Sequence, residues 1–368
     1  MLNWVLKTLL HERLSALATA GGVALAMLLV LYLDAVFRGE ADQVVAFIEN
    51  TPGELWVLQS GIENLHMTRS RLAEQSIADV RWAADAARAE VLPLVYRDAL
   101  VGPEGAHRIA YVVGVSPHTP VTAWDMADGN AVPQPGQAIV PAAMAAQLNL
   151  GLGDDIRVGD QRLQICGLSR GTFSMANPLL FIHEQDARDI LDVADGANLL
   201  IVHGADRPEK LAAAMRDSND DIQVLTREAL IASDRRIALE MGGELIYLMG
   251  LIGLVVSALV VSFSTFAFVS LRQRELAIMR ATGATTPALI GTVLVMSLTL
   301  ALAGVCLAGL LVPVSSSLLL RFVPEVAVHF SVLEFVRLSL AIVMVAMLAA
   351  IIPALRVVRV DPTLVFQS

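Results

Sequence analysis

Gly167-Leu168-Ser169-Arg170-Gly171 sets a serine in the G-x-S-x-G spacing of a hydrolase nucleophile elbow, with Asp189, Asp192 and His203 downstream as possible partners. That chemistry needs a strand before the serine and a helix directly after it, so that the hydroxyl is presented on a sharp turn. Thr172 to Pro178, TFSMANP, reads instead as a loop. The pattern therefore predicts a turn closing a strand. The histidines, at 11, 66, 107, 118, 183, 203 and 329, show no metal-ligand spacing. No G-x-x-x-x-G-K-[ST] phosphate loop occurs, and Lys7 and Lys210 are the only lysines, so ordinary ATP binding is not expected on this chain. Cys166 and Cys306 fall in different phases of the molecule, which argues against a disulfide between them.

The segment with the most to say is Leu271–Ile290, LRQRELAIMRATGATTPALI. It is short, charged and amphipathic, and it lies between two long apolar runs. Leu276, Ala277, Met279 and Ala281 recur at helical steps, with Arg272, Arg274 and Glu275 at the start. Thr282-Gly283 predicts a left-handed C-terminal stop. Thr286 is the expected N-cap of the next helix, with Pro287 at its first position. A compact polar loop tied to two spanning helices can carry force from a soluble partner into a membrane. Met279 is the expected apolar anchor for such a partner, Glu275 the orienting charge, and Arg280 a partner contact or a snorkelling side chain.

The elements holding this loop are membrane spans. Residues 245–271 and 281–320 carry no charged side chain, and neither do 14–33 and 338–355. Each run is long enough to cross a bilayer, which takes about 20 residues. The chain is 55% hydrophobic and 17% charged, with a mean hydropathy of +0.62, and its apolar residues are clustered. The fold expected is a membrane protein of four transmembrane α-helices with a large α+β extracytoplasmic domain between the first and the second. The boundaries read as an interfacial helix at 1–13, spans at 14–37, 241–271, 288–313 and 335–355, and an external domain with its stalk at 38–240. The coupling segment is 272–287, an outer hairpin after Pro313 and Ser315-Ser316-Ser317 covers 314–334, and a tail covers 356–368. The first run could instead be a signal peptide, but it is longer than a signal core and lacks a convincing small-x-small site after it.

Charge sets the orientation. The parts flanking the spans on one side carry Lys7, Arg13, Arg272, Arg274, Arg280, Arg356 and Arg359 against Glu12, Glu275 and Asp361, a balance of 7 − 3 = +4. Residues 38–237 hold 17 Lys/Arg against 28 Asp/Glu, a balance of 17 − 28 = −11. Both termini and the 272–287 loop are thus expected in the cytoplasm, and the large domain outside it. An acidic translocated domain has no reason to bind nucleic acid.

Within that domain Val44–Ile48, Leu55–Leu58, Ile109–Val115, Ala138–Val140, Leu179–Ile182 and Leu199–Val202 read as strands. Arg71–Ala89, Ala142–Leu148, Ala187–Val193 and Pro208–Arg216 read as helices. Gly151–Ser169 reads as a hairpin turning at Gly159-Asp160, and 226–241 as a stalk helix entering the second span. In the spans Gly21, Gly22, Gly250, Gly253, Gly304 and Gly309 allow close helix approach. No charge lies mid-span, which argues against a proton-coupled transporter or an ion channel. Met27, Leu31, Met249, Val256 and Phe263 are candidates for an apolar surface facing a lipid-like cargo.

SLRQRELAIMRATGAT between the second and third spans resembles the R-x-R-E-x-x-x-x-R-A-x-G-A signature of FtsX/MacB/LolC-family ABC transporter permeases, the type VII or mechanotransmission class. The matching residues are Arg272, Arg274, Glu275, Arg280, Ala281, Gly283 and Ala284. Gly136–Ser169 is similar to the MacB-like periplasmic core, and Pro353-Ala354 through Asp361-Pro362 to the family ending. MacB carries its ATPase on the same chain, and this sequence has no phosphate loop. The resemblance therefore implies a separate cytoplasmic ABC ATPase dimer holding ATP and Mg, a second permease copy or homologue, and no cofactor on this chain. It implies contacts with membrane lipid and, where one exists, a periplasmic adaptor or substrate acceptor. The cargo class it implies is hydrophobic or amphipathic: lipid, lipoprotein, haem, drug or peptide. The alternative is an FtsX-like regulator that switches a periplasmic cell-wall hydrolase without transport.

Overall fold

The computed structural model describes residues 13–66, 69–103, 107–117, 119–174, 178–193, 197–271, 273–322 and 326–357. The predicted interfacial helix at 1–13 and the terminal helix after Asp361 lie almost wholly or wholly outside them. The chain divides into two compact units. One is Arg38–Met241 with Val323–Ala327, and the other holds the remaining N-terminal, central and C-terminal segments. Two helices belong to both units: α1 (Arg13–Asn50) and α6 (Arg227–Leu271).

The larger unit is α+β. Its elements are β1 (Leu55–Gln59), α2 (Glu74–Ala86), β2 (Glu90–Gly102), β3 (Arg108–Val115), β4 (Met126–Gly129), β5 (Gln137–Pro141), α3 (Ala142–Gln147), β6 (Asp155–Val158), β7 (Gln161–Ser169), β8 (Leu179–His183), α4 (Glu184–Leu191), β9 (Leu199–His203), α5 (Pro208–Ser218) and β10 (Ile222–Thr226). The long strand β2 joins two sheet halves. Its first residues, Glu90–Leu94, pair with β9, which continues through β1 to β10. Its later residues pair with β3 and β6. From there β3–β8–β5–β7–β6 returns to β2, so six strands close a ring, with β3–β8 and β5–β7 parallel. Alternation fills the ring: Ala110, Val112, Val140, Ile156, Leu163 and Ile182 point inward with Met144 and Ala187 from the covering helices.

The opposite face of β3 is buried too. Tyr111, Val113 and Val115 meet Tyr96, Trp56, Phe181 and the ends of both shared helices, Phe47 and Ile48 from α1 and Leu230 from α6 (Arg227–Leu271). Two buried faces explain why β3 is apolar throughout its C-terminal part. Asp234 of α6 is 1% exposed and accepts the Leu65 N–H at 3.2 and 3.3 Å, while His66 Nδ1 lies 3.4 Å from it. Tyr96 and Tyr111 stack beside this group, and Tyr111 donates its hydroxyl hydrogen to the His66 carbonyl. Burial, helped by the fields of Asp98 and Asp234, pushes the Tyr111 hydroxyl up to about 12, so it stays a neutral donor. Arg235 of α6 reaches Asp42 and Glu49 of α1, both at 3.2 Å.

Two expectations change here. Val44–Ile48 is not a strand but the last turns of α1. Its β-branched residues favour a strand locally, yet Ala41, Val45 and Ile48 fall on one buried helical stripe. The sequence reading also passed over β2, whose Pro93 is a poor strand residue; it sits opposite Leu200 and is accommodated.

The other unit is helical: the first part of α1, the rest of α6, then α7 (Gln273–Ala281), α8 (Thr286–Phe322) and α9 (Val332–Val357). Four of its helices are long and apolar enough to cross a membrane. Val23, Met27 and Leu31 of α1 pack with Val261, Ala301, Ala308, Ile342 and Ala346. Thr19 Oγ1 donates to Ser264 Oγ at 2.8 Å, and the Thr265 and Ser297 hydroxyls pair at 2.9 Å, tying α6 to its two neighbours. The predicted break at Pro313 is absent, because α8 runs through it to Phe322. Pro313 removes one N–H, but an open chain in an apolar phase would strand many more backbone groups. Ser315, Ser316 and Ser317 turn their hydroxyls back onto the carbonyls of Leu311, Pro313 and Val314, and Tyr32 bonds Ser315 at 2.6 Å.

Close approach makes a sharp test. A Cβ on Gly304 would lie 2.6 Å from Val23 and 3.0 Å from the Ala20 carbonyl, whereas one on Gly291 of the same helix would meet nothing within 4 Å. Gly304→Val is expected to destabilise the bundle by about 1–3 kcal/mol. Gly291→Ala is expected to be neutral or to stabilise by up to about 1 kcal/mol. Thermal unfolding in detergent, read side by side, checks the contrast.

Candidate functional site: the loop between the second and third spans

The short helix α7 ends in a Schellman arrangement. Ala284 N–H bonds the Met279 carbonyl at 2.9 Å and Gly283 N–H the Arg280 carbonyl at 3.1 Å. Gly283 takes φ +100°, which a residue with a Cβ adopts only under strain. The Thr282 hydroxyl closes the turn onto the Ile278 and Met279 carbonyls, both at 3.0 Å. The first bond of α8 runs from Leu289 N–H to the Thr285 carbonyl, so Thr285, not Thr286, is the cap, and Pro287 is the second helical residue, not the first, in a turn whose N–H groups have no intrahelical partner.

The apolar side of this loop is seated on its own bundle. Ala277 is buried, and Met279 and Ala284 pack with Val269, Leu289, Val293 and Ala354. Met279, the expected anchor for a partner, is half-buried against this cluster. The helical step explains it: Met279 is the residue whose carbonyl the stop motif uses, and such stops bring an apolar contact across the turn. The outward side chains are Glu275 and, three residues on, Ile278, which is 44% exposed. Arg280 is half-buried. Arg272 lies outside the described residues, as do the side chains of Arg274 and Leu276.

The predicted cargo-facing residues do not share a surface. Met27 and Leu31 are buried inside the bundle, Met249 is half-buried, and Val256 and Phe263 point outward from α6. The sequence carries no signal for that division, since all five are apolar residues of spanning helices.

The serine pattern assembles no elbow. Ser169 ends β7, is 1% exposed, and shares a hydrogen with the Thr172 hydroxyl at 2.6 Å. No helix follows directly, and Leu179 N–H bonds the Thr172 carbonyl. His203 ends β9 in the other sheet half, beside Glu54 at 3.3 Å. Asp192 is the left-handed C-cap of α4. A hollow of 460 Å³ beside Ser169 is lined by five alanines together with Gln43 and Arg170, and among the described residues no histidine or carboxylate lines it. Burial pushes the Cys166 thiol up, away from nucleophile range. Among the described residues no group of three or more His, Cys, Asp or Glu could hold a metal ion.

Two family models divide the chain between them. Residues 15–219 match the MacB-like periplasmic core domain, and residues 247–362 match the FtsX-like permease C-terminal region. An uncharacterized ABC transporter permease of Mycobacterium bovis is 24% identical over 357 residues, 96% of this chain and 95% of its own length. Two permeases of Mycobacterium tuberculosis strains match to the same extent. Among solved structures, the extracellular domain of the noncanonic ABC-type transporter YknZ from Gram-positive bacteria aligns at 15% identity, TM-score 0.34, over 47% of this chain and 98% of that one. The periplasmic region of MacB from Actinobacillus actinomycetemcomitans aligns at 9% identity, TM-score 0.36, over 52% and 96%. With one family model spanning the N-terminal helix and most of the α+β unit, more than half of the chain, and the other spanning the three C-terminal membrane helices, the chain belongs to the FtsX/MacB family of ABC transporter permeases.

Proposed function

We propose that this permease is the membrane half of a bacterial inner-membrane transporter whose ATP and Mg are held by a separate cytoplasmic ABC ATPase dimer, and that it works beside a second permease copy or homologue. ATPase closure pushes on α7. The motion passes along α1 and α6, and the external unit moves a hydrophobic or amphipathic cargo on the periplasmic side. One observation carries the reading: α7 is seated on its own bundle through Ala277, Met279 and Ala284, and leaves Glu275 and Ile278 exposed. A helix held that way passes a push to α6 and α8 instead of absorbing it. The two shared helices, each unbroken from the bundle into the α+β unit, supply the onward path.

The orientation is tested by single cysteines in a background with Cys166 and Cys306 replaced. A cysteine at Asp160 is expected to react with an impermeant thiol reagent from outside the cell, and one at Thr285 only after the membrane is opened. The reverse pattern overturns the reading.

The motor contact is tested at Ile278. A carboxylate buried in a protein contact without a partner costs about 3 kcal/mol, roughly a hundredfold in affinity. Ile278→Asp is therefore expected to abolish ATPase copurification while the permease still inserts. Met279→Ala is expected to lower the melting temperature of the permease instead. Retention of the ATPase by Ile278→Asp at wild-type stoichiometry refutes the assignment.

The chain itself is read as non-catalytic. Ser169→Ala removes one buried hydroxyl contact, about 1 kcal/mol of stability, and is expected to leave transport and ATPase stimulation unchanged. Lost activity in a normally folded Ser169→Ala protein restores the hydrolase reading.

A further inference from the structure

Within the α+β unit, Asp234 of the α6 extension is a carboxylate enclosed at 1% exposure. Two neighbours meet it. The Leu65 N–H donates to it at 3.2 and 3.3 Å, and His66 Nδ1 lies 3.4 Å away. Among the described residues the His66 ring is the only group within salt-bridge distance of this carboxylate. The ring is itself 10% exposed, and its buried Nδ1 falls short of a made hydrogen bond. On the ring's other side the Tyr96 hydroxyl lies 3.4 Å from Nε2. Tyr96 and Tyr111 stand edge-on to the imidazole, with centroids 6.5 and 5.1 Å away. Burial above all pushes the Tyr96 hydroxyl up, so it stays neutral and can give a hydrogen to Nε2 or accept one from it. The charged and titratable groups around the ring are thus Asp234 from α6, Tyr96 and Asp98 from β2, Tyr111 from β3, and Arg69 from the loop that carries His66. Arg69 is engaged by Asp98, at 2.9 and 2.6 Å.

From this geometry we infer that His66 and Asp234 form an acid-set latch, in which protonation of the His66 ring fastens the α6 extension, residues 227–241, to the rest of the α+β unit. A neutral imidazole carries one N–H. An imidazolium carries two, and can give one to Asp234 and the other to the Tyr96 oxygen. Enclosure strengthens that attraction relative to an exposed pair. Charging a buried ring costs solvation, but the Asp234 carboxylate is enclosed whether or not the ring is charged, so the added proton also relieves an uncompensated buried charge. The sign follows. The docked helix binds the proton more tightly than the undocked one, so docking is strongest at the acid end. The gain is lost as pH rises, across the range of about pH 5 to 8 in which imidazoles change charge. Leu230 and Ile231 seat the same extension in the core, so the latch adds to an apolar dock and does not create it. The latch needs only contacts inside the α+β unit, and neither the motor contact nor a cargo, so its failure leaves the proposed function standing.

A second histidine near α6 supplies the control. His203 lies 3.3 Å from Glu54, whose carbonyl accepts the Arg227 N–H at the start of the helix, but this pair is 48% and 36% exposed. The measurement is hydrogen exchange of the full chain in detergent, followed by mass spectrometry on peptides from 227–241, at about pH 7.5 and about pH 5.5 and corrected for the intrinsic rate. Wild type is expected to gain about tenfold in protection at the acid pH, the worth of one charge-assisted hydrogen bond. His66→Gln and Asp234→Asn are each expected to show no such gain, and His203→Gln to keep it. Should Asp234→Asn fail to fold, His66→Gln read against wild type and His203→Gln decides. Unchanged or lower protection of wild type at the acid pH overturns the latch. So does a gain that persists in His66→Gln or Asp234→Asn, or one that His203→Gln removes.

Discussion

In an apolar phase no water bonds a stray N–H or carbonyl, so a single-chain span must satisfy its backbone within itself as a helix. That requirement shapes more here than the spans. α1 and α6 keep helical bonding beyond their apolar runs and enter the α+β unit unbroken. α8 obeys the same rule at Pro313, with serine hydroxyls and Tyr32 supplying polar contacts around the missing donor. Each shared helix consequently serves two solvents. Its apolar run suits lipid and small-residue packing, and its extension suits a protein core.

How the extensions are held is a matter of buried polar chemistry. Asp234 on α6 is enclosed, and its carboxylate is met by the Leu65 amide and the His66 ring. Removing such a partner leaves the remaining group desolvated and unmatched, at about 1–3 kcal/mol. Phe47 on α1 stacks on Tyr96, which stacks on Tyr111 of β3. Both helix extensions thus dock on the outside of the closed ring through one cluster, while Arg235 links them to each other. Outside the membrane, Arg69 forks onto Asp98 at 2.9 and 2.6 Å and, chiefly by that hydrogen bond, holds its carboxyl below the usual carboxylate range. The pair is largely exposed and adds little to stability.

At the far end of the bundle α6 meets a different solution. The α7 stop motif turns the chain in a few residues, satisfies the last carbonyls, and brings Met279 and Ala284 onto α8 and α9. Polar side chains are left outward. The arrangement is rigid because the turn, the apolar seat and the neighbouring helix start share residues.

The number of the spans, the charge asymmetry between 38–237 and the flanking segments, the Gly159-Asp160 hairpin, the α6 stalk and the Gly283 stop were legible in the sequence. Each is a local or compositional property: a run of apolar residues, a sum of charges, or a backbone conformation that glycine alone takes freely. What is decided in three dimensions depends on contacts between distant residues. Val44–Ile48 is helical because its stripe meets Trp56 and Tyr96, and β2 is a strand because β9 and β3 lie on either side of it. Met279 and Ile278 are neighbours of similar apolarity, and only the position of α6, α8 and α9 half-covers one and leaves the other exposed. Ser169 matches a catalytic pattern by spelling, and burial against Thr172 removes its meaning. Periodicity says that a residue has a side; only the packed partners say what that side faces.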